Sequence, residues 1–282
     1  MVNKENSSYI YHLPLMKAMR YSQSEIEQFT HEALTDGLCI LRNHFPAEKL
    51  RRWNDEFQPL LEAHVERERG MENRGSNRYY VTLPFIKPFA DEEIFCNADV
   101  LAIVENLVGK DFLMCQLATD TPLKGSDYQE LHRDTPPLFP ELKEETPSFQ
   151  LAVNFPLVDV TEENGPFETT YGTHLMTKEE GLRRIETGEI KLEKLIMKAG
   201  DLMIRDVRAI HRGTPNRTGE PRPMCVIGYS RRWMFRPEVS VRIPHRTWEN
   251  LSDKAKHLLR FNPRIESLDE IDEREVYQAF AY

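Results

Sequence analysis

A mainly β fold with flanking helices, closed or double-sheeted in the manner of a jelly roll, is what this sequence predicts. Three observations carry that expectation. Five β-compatible runs follow one another through the middle of the 282-residue chain. Helix-like patterns lie before and after them, leaving a strand-rich centre between a helical front and a short helical tail. Loops and short charged segments, rather than long helices, join most of the strands, which favours antiparallel pairing.

SQSEIE (22–27) offers Ser22 or Ser24 as a helix cap, with Glu25 or Glu27 at capping-box spacing. Ile26, Phe29 and Ala33 then share a face, and Gly37 ends the helix. GLCILRNHF (37–45) reads as a strand. A second helix starts near Ala47 with Leu50, Trp53, Phe57 and Leu61 inward, and Pro59 is expected to kink it or end it early. A third covers about Asp99 to Leu107 and stops at Gly109. The strands are FLMCQLAT (112–119), SFQLAVNFPL (148–157), GPFETT (165–170), DLMIRDV (201–207) and PMCVIGYSRRW (223–233). TKEEGLRRIETGE (177–189) is a charged helix or turn, and TPPLFPELKEETP (135–147) an exposed proline-rich loop. TWENLSDKAKHLL (247–259) reads as helical, and the final acidic stretch as loosely packed. With no repeat and no linker, one domain is expected: front 1–110, core 111–235, tail 236–282.

Composition narrows the function. Forty per cent hydrophobic residues argue against a disordered chain. A net charge of -9 offers no global positive field for nucleic acid. No run approaches the roughly 18 apolar residues of a membrane helix, and the N-terminus lacks secretory-signal features. Cys39, Cys96, Cys115 and Cys225 form no CxxC pair and sit among apolar neighbours, which predicts buried free thiols in a cytoplasmic protein. No heptad or exposed apolar stripe emerges, so a monomer or weak homodimer is expected.

Of nine histidines, His12, His31, His44, His64, His245 and His257 have no partner at ligand spacing and read as structural or solvent-facing. His132 stands in QELHRDTPP with Asp134 two residues on. On an extended segment i and i+2 face one side, so imidazole and carboxylate can meet one ion, although a surface His beside an Asp reads the same way. His211, after the strand DLMIRDV and before a Gly-Thr-Pro turn, is the candidate third ligand. Two His and one carboxylate make the facial triad of non-haem Fe(II) oxygenases, which leaves positions open for a cosubstrate and dioxygen. Arg222, eleven residues past His211 and heading a strand, is suited to a bidentate carboxylate contact; a solvated arginine is the plain alternative.

HRD (132–134), NGPFETTYGTH (164–174), HRGTPNRTGEPRP (211–223) and GLCILRNHFPAEKLRRW (37–53) together resemble the phytanoyl-CoA dioxygenase family of Fe(II)/2-oxoglutarate-dependent oxygenases, from about Gln28 to Trp233. The resemblance implies a double-stranded β-helix, a cupin-like jelly roll. It implies iron ligation by His132, Asp134 and His211, and binding of the far carboxylate of 2-oxoglutarate by Arg222. Gln116, Thr119 and Gln129 are further cosubstrate candidates. The family's frequent Ser two positions past the distal His is Gly213 here, which leaves Thr214 as the nearest hydroxyl. His174, in a departure from the family's Pro-Gly-Ser-His turn, is expected to support its turn by hydrogen bonding. A retained Asp134 implies hydroxylation or another oxidation rather than halogenation.

The implied activity is hydroxylation of a small natural-product or amino-acid-like molecule in specialised metabolism, with oxidative decarboxylation of 2-oxoglutarate to succinate and CO2 and consumption of dioxygen. Substrate contacts are expected from loops at the barrel mouth: ENRGSNRYYVTLPF (72–85), the loop after Asp134, and SRRWMF (230–235). Arg74, Arg78, Tyr80, Phe139, Arg232 and Trp233 are the named candidates. The alternatives are the same cofactors used for desaturation, epimerisation or cyclisation, a cupin-like zinc hydrolase, and a jelly-roll binding protein with a relic site.

Overall fold

The computed structural model describes residues 19–68, 74–142 and 145–270. His12 and the acidic C-terminal stretch lie outside them. The helical front comprises α1 (Gln23–Asp36), β1 (Leu38–Leu41), α2 (Ala47–Glu68), β2 (Arg78–Thr82), α3 (Glu92–Phe95) and α4 (Ala98–Val108). The centre follows with β3 (Phe112–Pro122), β4 (Gln150–Pro156), β5 (Phe167–Thr169), α5 (Lys178–Glu186), β6 (Glu193–Leu195), β7 (Leu202–Asp206), β8 (His211–Gly213) and β9 (Met224–Arg231). The tail holds β10 (Ile243–Pro244), α6 (His245–Glu249), α7 (Asp253–Leu258) and β11 (Arg264–Ile265).

Local chemistry sets the front end. Ser22 Oγ accepts from the Glu25 backbone N–H, and the Glu25 carboxylate accepts from Ser22 N–H at 2.8 Å, closing the expected capping box. Gly37 ends α1 at φ +87°, and a Cβ there would lie 2.7 Å from His174 Nδ1. Conformation and space both demand glycine at this corner, from which the chain passes straight into β1. His174 bonds the Leu34 carbonyl through Nε2 at 3.1 Å, so its side chain ties down the end of α1 rather than its own turn.

Six strands form one sheet in the order β1-β7-β4-β9-β3-β2, every neighbouring pair antiparallel. A second, three-stranded antiparallel sheet runs β6-β5-β8. The fold is a jelly roll with flanking helices, as expected. Side-chain alternation gives the large sheet two different faces. Leu117, Leu151, Val153, Phe155, Ile204, Ile227 and Tyr229 join Ile26, Leu50, Trp53, Phe57 and Val104 of the helices in the main core. The opposite face carries Ala118, Ala152, Val207 and Val226, interrupted by polar side chains that look toward the small sheet.

Three expectations need correcting. Residues 78–82, read as part of a mouth loop, form β2, which pairs with β3 from Arg78↔Pro122 to Thr82↔Ala118. Pro59 neither ends nor shortens α2, which continues to Glu68. Pro59 sits on the exposed face, while Leu50, Trp53, Phe57, Leu61 and His64 anchor the other. Burying these side chains, each worth about 1.5–3 kcal/mol, outweighs a helix penalty of about 3 kcal/mol. The tail segment 247–259 is two short helices rather than one, broken around Leu251 and recapped by Ser252.

Among the described residues no helix is long and apolar enough to cross a membrane. The four cysteines are free; Cys39, Cys115 and Cys225 are buried and Cys96 is half-buried.

Candidate active site

Backbone pairing, not sequence proximity, brings the two histidines together. His132 and His211 face each other across an antiparallel bridge, exchanging N–H···O bonds of 3.0 and 3.1 Å. Gln129 N–H extends the pairing by donating to the Gly213 carbonyl at 3.0 Å. The segment carrying the HxD pair thus lies alongside β8 at the edge of the small sheet. Asp134 N–H donates to the Val207 carbonyl at 3.0 Å, which pins the carboxylate over the end of β7.

Each imidazole is held in one tautomer. His132 Nδ1 lies 2.7 Å from the Glu130 carbonyl, and His211 Nδ1 lies 2.8 Å from that of Ala209. A carbonyl only accepts, so each Nδ1 carries the proton and each Nε2 keeps a free lone pair. Those lone pairs converge on Asp134 Oδ1, 3.5 Å from His211 Nε2 and 3.9 Å from His132 Nε2. All three ligand atoms lie within 4.8 Å of one another. Donors bound at about 2.1 Å on one octahedral face stand about 3 Å apart, so a small contraction closes this set on an ion. Phe167 stacks on His211 at 4.9 Å, fixing the ring from its other side.

The protonation states suit ligation. Burial, reinforced by the neighbouring His211, pulls His132 down to about 4, so it is neutral near pH 7. Burial by itself would raise the Asp134 carboxyl, but the Arg205 guanidinium outweighs it and holds the group well below the usual carboxylate range. Arg205 Nη2 donates to Asp134 Oδ2 at 2.5 Å and Nε donates to Asn154 Oδ1 at 3.2 Å. One carboxylate oxygen is therefore tied, and the other faces the histidines.

Around this triad a cavity opens between the sheets, and Arg222 forms part of its wall. Its guanidinium is fully buried, with Nε and Nη2 without a hydrogen-bond partner among the described residues. Burial, together with the adjacent Arg78 charge, pulls it down to about 9. Leaving charged donors unmatched is costly, so such a group calls for an anion. A dicarboxylate that chelates an ion at the triad through one end meets that need with the other.

The remaining sequence candidates divide. Gln116, Gln129, Arg74, Arg78 and Tyr80 line the cavity. Gln116 donates to the Tyr80 hydroxyl, Arg74 stacks on the Tyr80 ring at 4.8 Å, and Gln129 Oε1 accepts from Gly213 N–H at 3.0 Å. Thr119 does not line it: the cavity face of β3 carries Gln116, Ala118 and Asp120, and Thr119 points the other way, bonded to Thr121. Thr214 is turned aside too, its hydroxyl donating to the Pro166 carbonyl at 2.7 Å. Phe139 and Trp233 are largely exposed away from the cavity, and Arg232 pairs at the surface with Asp111. The turn after β9 carries these last two side chains outward, and Arg236, slightly further on, reaches the cavity wall instead.

Several lining residues escaped sequence reasoning: Asp120, Gln150, Asn154, Phe167, Arg205 and Arg236. Arg205 had a readable signal, a charge in the middle of the apolar strand LMIRD. The others carry no local mark, because only the sheet register turns them inward.

The family model described as phytanoyl-CoA dioxygenase matches residues 34–224. Among solved structures, the chain is similar to the non-haem α-ketoglutarate-dependent epimerase SnoN of nogalamycin biosynthesis, at 19% identity and TM-score 0.57 over 74% of this chain and 84% of that one. It is also similar to HygX from Streptomyces hygroscopicus, determined with nickel, 2-oxoglutarate and hygromycin B, at 15% identity and TM-score 0.54 over 76% and 89%. A third likeness is to the carbocyclase SnoK of nogalamycin biosynthesis, at 16% identity and TM-score 0.54 over 75% and 84%.

Proposed function

The chain belongs to the phytanoyl-CoA dioxygenase family of Fe(II)/2-oxoglutarate-dependent oxygenases, and from that membership we propose that it hydroxylates a small natural-product or amino-acid-like molecule, converting 2-oxoglutarate to succinate and CO2. In this reading His132, Asp134 and His211 hold the iron, and Arg222 receives the far carboxylate of 2-oxoglutarate. When bound, the iron supplies dioxygen activation at the positions three protein ligands leave free. The protein's part is orientation and exclusion of water. The Glu130 and Ala209 carbonyls fix both Nδ1 protons, so that both Nε2 lone pairs would be available to hold the ion. Arg205 keeps Asp134 ionised and ties its Oδ2, so that Oδ1 would be the oxygen free to hold the iron. Ala152, Val207 and Val226 present an apolar floor to the reacting centre, while Arg74, Tyr80, Gln116 and Arg236 offer the polar contacts that orient a substrate.

The observation that carries this reading is the conjunction of three convergent ligand atoms with a buried, unmatched guanidinium in one cavity. A zinc hydrolase leaves that guanidinium without an obvious role, and a relic site has no need to keep all three ligand atoms convergent. The test is anaerobic titration of the protein with Fe(II) and then 2-oxoglutarate, followed by admission of air. A visible charge-transfer band from the chelate and succinate formation are expected. Asp134→Ala and His211→Ala should each abolish the band. Absence of both signals in protein that binds iron would overturn the assignment.

A second outcome of the same chemistry is favoured by the likenesses to enzymes described as an epimerase and a carbocyclase. Product mass separates the cases. Hydroxylation adds one oxygen, epimerisation leaves the mass unchanged, and ring closure or desaturation removes two hydrogens.

A further inference from the structure

Arg78 is buried in the wall of the cavity that holds the triad. It opens β2, where it is the cross-strand partner of Pro122. Arg222 donates its backbone N–H to the carbonyl of that same Pro122 at 3.3 Å, so the two arginines flank one residue. Arg78 is 2% exposed. Its Nε donates to Asp120 Oδ1 at 2.9 Å and its Nη2 to Oδ2, a bidentate pair. The third nitrogen, Nη1, is buried with no hydrogen-bond partner among the described residues.

Gly213 explains how the guanidinium reaches this place. A Cβ at 213 would lie 2.1 Å from Cζ, Nη1 and Nη2 of Arg78 alike. Equal distances to three atoms of the planar group mean that its flat face rests on the glycine. Any side chain at 213 would push it out. No hydroxyl from the following residue competes for the space, since Thr214 is bonded to Pro166.

The charges complete the argument. Three buried guanidinium groups line one cavity; Asp134 pairs with Arg205, Asp120 pairs with Arg78, and Arg222 has no carboxylate partner among the described residues. At the wall shared by Arg78 and Arg222 this leaves one net positive charge and three donors unmatched among the described residues, Arg78 Nη1, Arg222 Nε and Arg222 Nη2, while a fourth, Arg205 Nη1, belongs to the arginine paired with Asp134. One arginine presents a carboxylate with a single fork; two adjacent arginines enclose it from two sides.

Resting on the 2-oxoglutarate reading above, we propose that Arg78 is a second guanidinium of the carboxylate subsite, with Arg222 supplying the net charge and the Asp120-neutralised Arg78 a pre-aligned donor held in place by Gly213. The division of labour predicts an asymmetry. Asp120 competes with the ligand for Arg78, so removing its charge does not weaken ligand binding. Removing Arg78 does.

The experiment is calorimetric binding to Mn(II)-loaded protein without air, with no turnover required. The ligands are 2-oxoglutarate and pyruvate, a 2-oxo acid without the far carboxylate. Arg78→Met alone strands Asp120, so the working variant is Arg78→Met/Asp120→Asn, which removes the pair together and keeps the charge balance. It is expected to lose about tenfold or more in 2-oxoglutarate affinity, the effect of one charge-assisted hydrogen bond, while pyruvate binding is unchanged. Asp120→Asn alone is expected to bind 2-oxoglutarate as tightly as wild type or more so. The inference is overturned if the double variant stays within about twofold of wild type for 2-oxoglutarate, or loses both ligands equally as a purely structural residue would. Arg222→Met separates the two levels. If it too keeps full 2-oxoglutarate affinity, the cosubstrate reading itself fails; if it loses affinity and the double variant does not, only the role of Arg78 fails.

Discussion

Replacing Arg222 by methionine should make the protein more stable and unable to hold 2-oxoglutarate. The side chain is 1% exposed, and two of its nitrogens lack partners among the described residues. Burial and the neighbouring Arg78 bring its guanidinium from 12.5 to about 9, which makes the charged form on the order of 4–5 kcal/mol less favourable than in water. Methionine keeps much of the length without the charge. Exchanging a buried charge for an apolar side chain of similar size is typically neutral or stabilising by about 1–4 kcal/mol. At about 2–4 °C per kcal/mol for a chain of this size, Tm should rise by several degrees. The ligand side runs the other way. Two charge-assisted bonds lost to a carboxylate amount to about 3–5 kcal/mol, or roughly two to four orders of magnitude in Kd. Thermal unfolding with Mn(II), with and without saturating 2-oxoglutarate, reads both effects: the ligand should raise the wild-type Tm by mass action and leave the variant unmoved. A variant that melts lower than wild type and still shifts with 2-oxoglutarate would refute the reasoning, because the guanidinium would then be matched within the protein.

Other consequences are open to measurement. Trp53→Ala removes a fully buried side chain that packs edge-on against Phe89 and Phe155, and should destabilise by about 3–5 kcal/mol in denaturant titration. Burial pushes the Cys96 thiol up to about 12 and the Cys115 thiol up to about 11, and raises Cys39 and Cys225 as well. At pH 8 the native protein should therefore resist iodoacetamide, whereas the unfolded chain takes up label at all four cysteines, as mass spectrometry would record. Burial would raise the Asp206 carboxyl, but Arg208 and Ser148 outweigh it and lower it. Its folded value then lies below the unfolded value near 3.9, so its contribution is complete above about pH 4 and is lost as pH falls through the folded value. Asp206→Asn should flatten the acid limb of a stability–pH curve, and an unchanged limb would count against the Arg208 pairing. Gly213→Ala should displace the Arg78 guanidinium and weaken 2-oxoglutarate binding, with Mn(II) affinity from the same calorimetry unchanged.

Much of the fold was readable where local chemistry and burial agree. Ser22 and Glu25 close a capping box, Gly37 stops the helix, and the inward row of α2 carries the residues its periodicity indicates. Reading failed where a partner outvotes the local signal. Residues 78–82 look loop-like in a stretch rich in Arg, Asn and Gly, and become a strand because β3 offers a free edge. Pro59 is carried through α2 by aromatic and aliphatic anchors on the opposite face.

The site divides along the same line. Spacing alone made His132, Asp134, His211 and Arg222 candidates, because an HxD pair, a distal His after a strand and an arginine heading the next strand are one-dimensional patterns. Which polar residues join them depends on facing. The pairing of β3 with β9 shifts between Met114 and Gln116, and that irregularity helps decide that Gln116 and Asp120, not Thr119, look into the cavity. Arg78 becomes part of the carboxylate wall only because a glycine from the other sheet leaves room for it. The identity of the chemistry follows from residue types at set intervals, which a linear chain displays. The shape of the pocket follows from strand register and from contacts between distant segments, and those exist only once the two sheets have closed on each other.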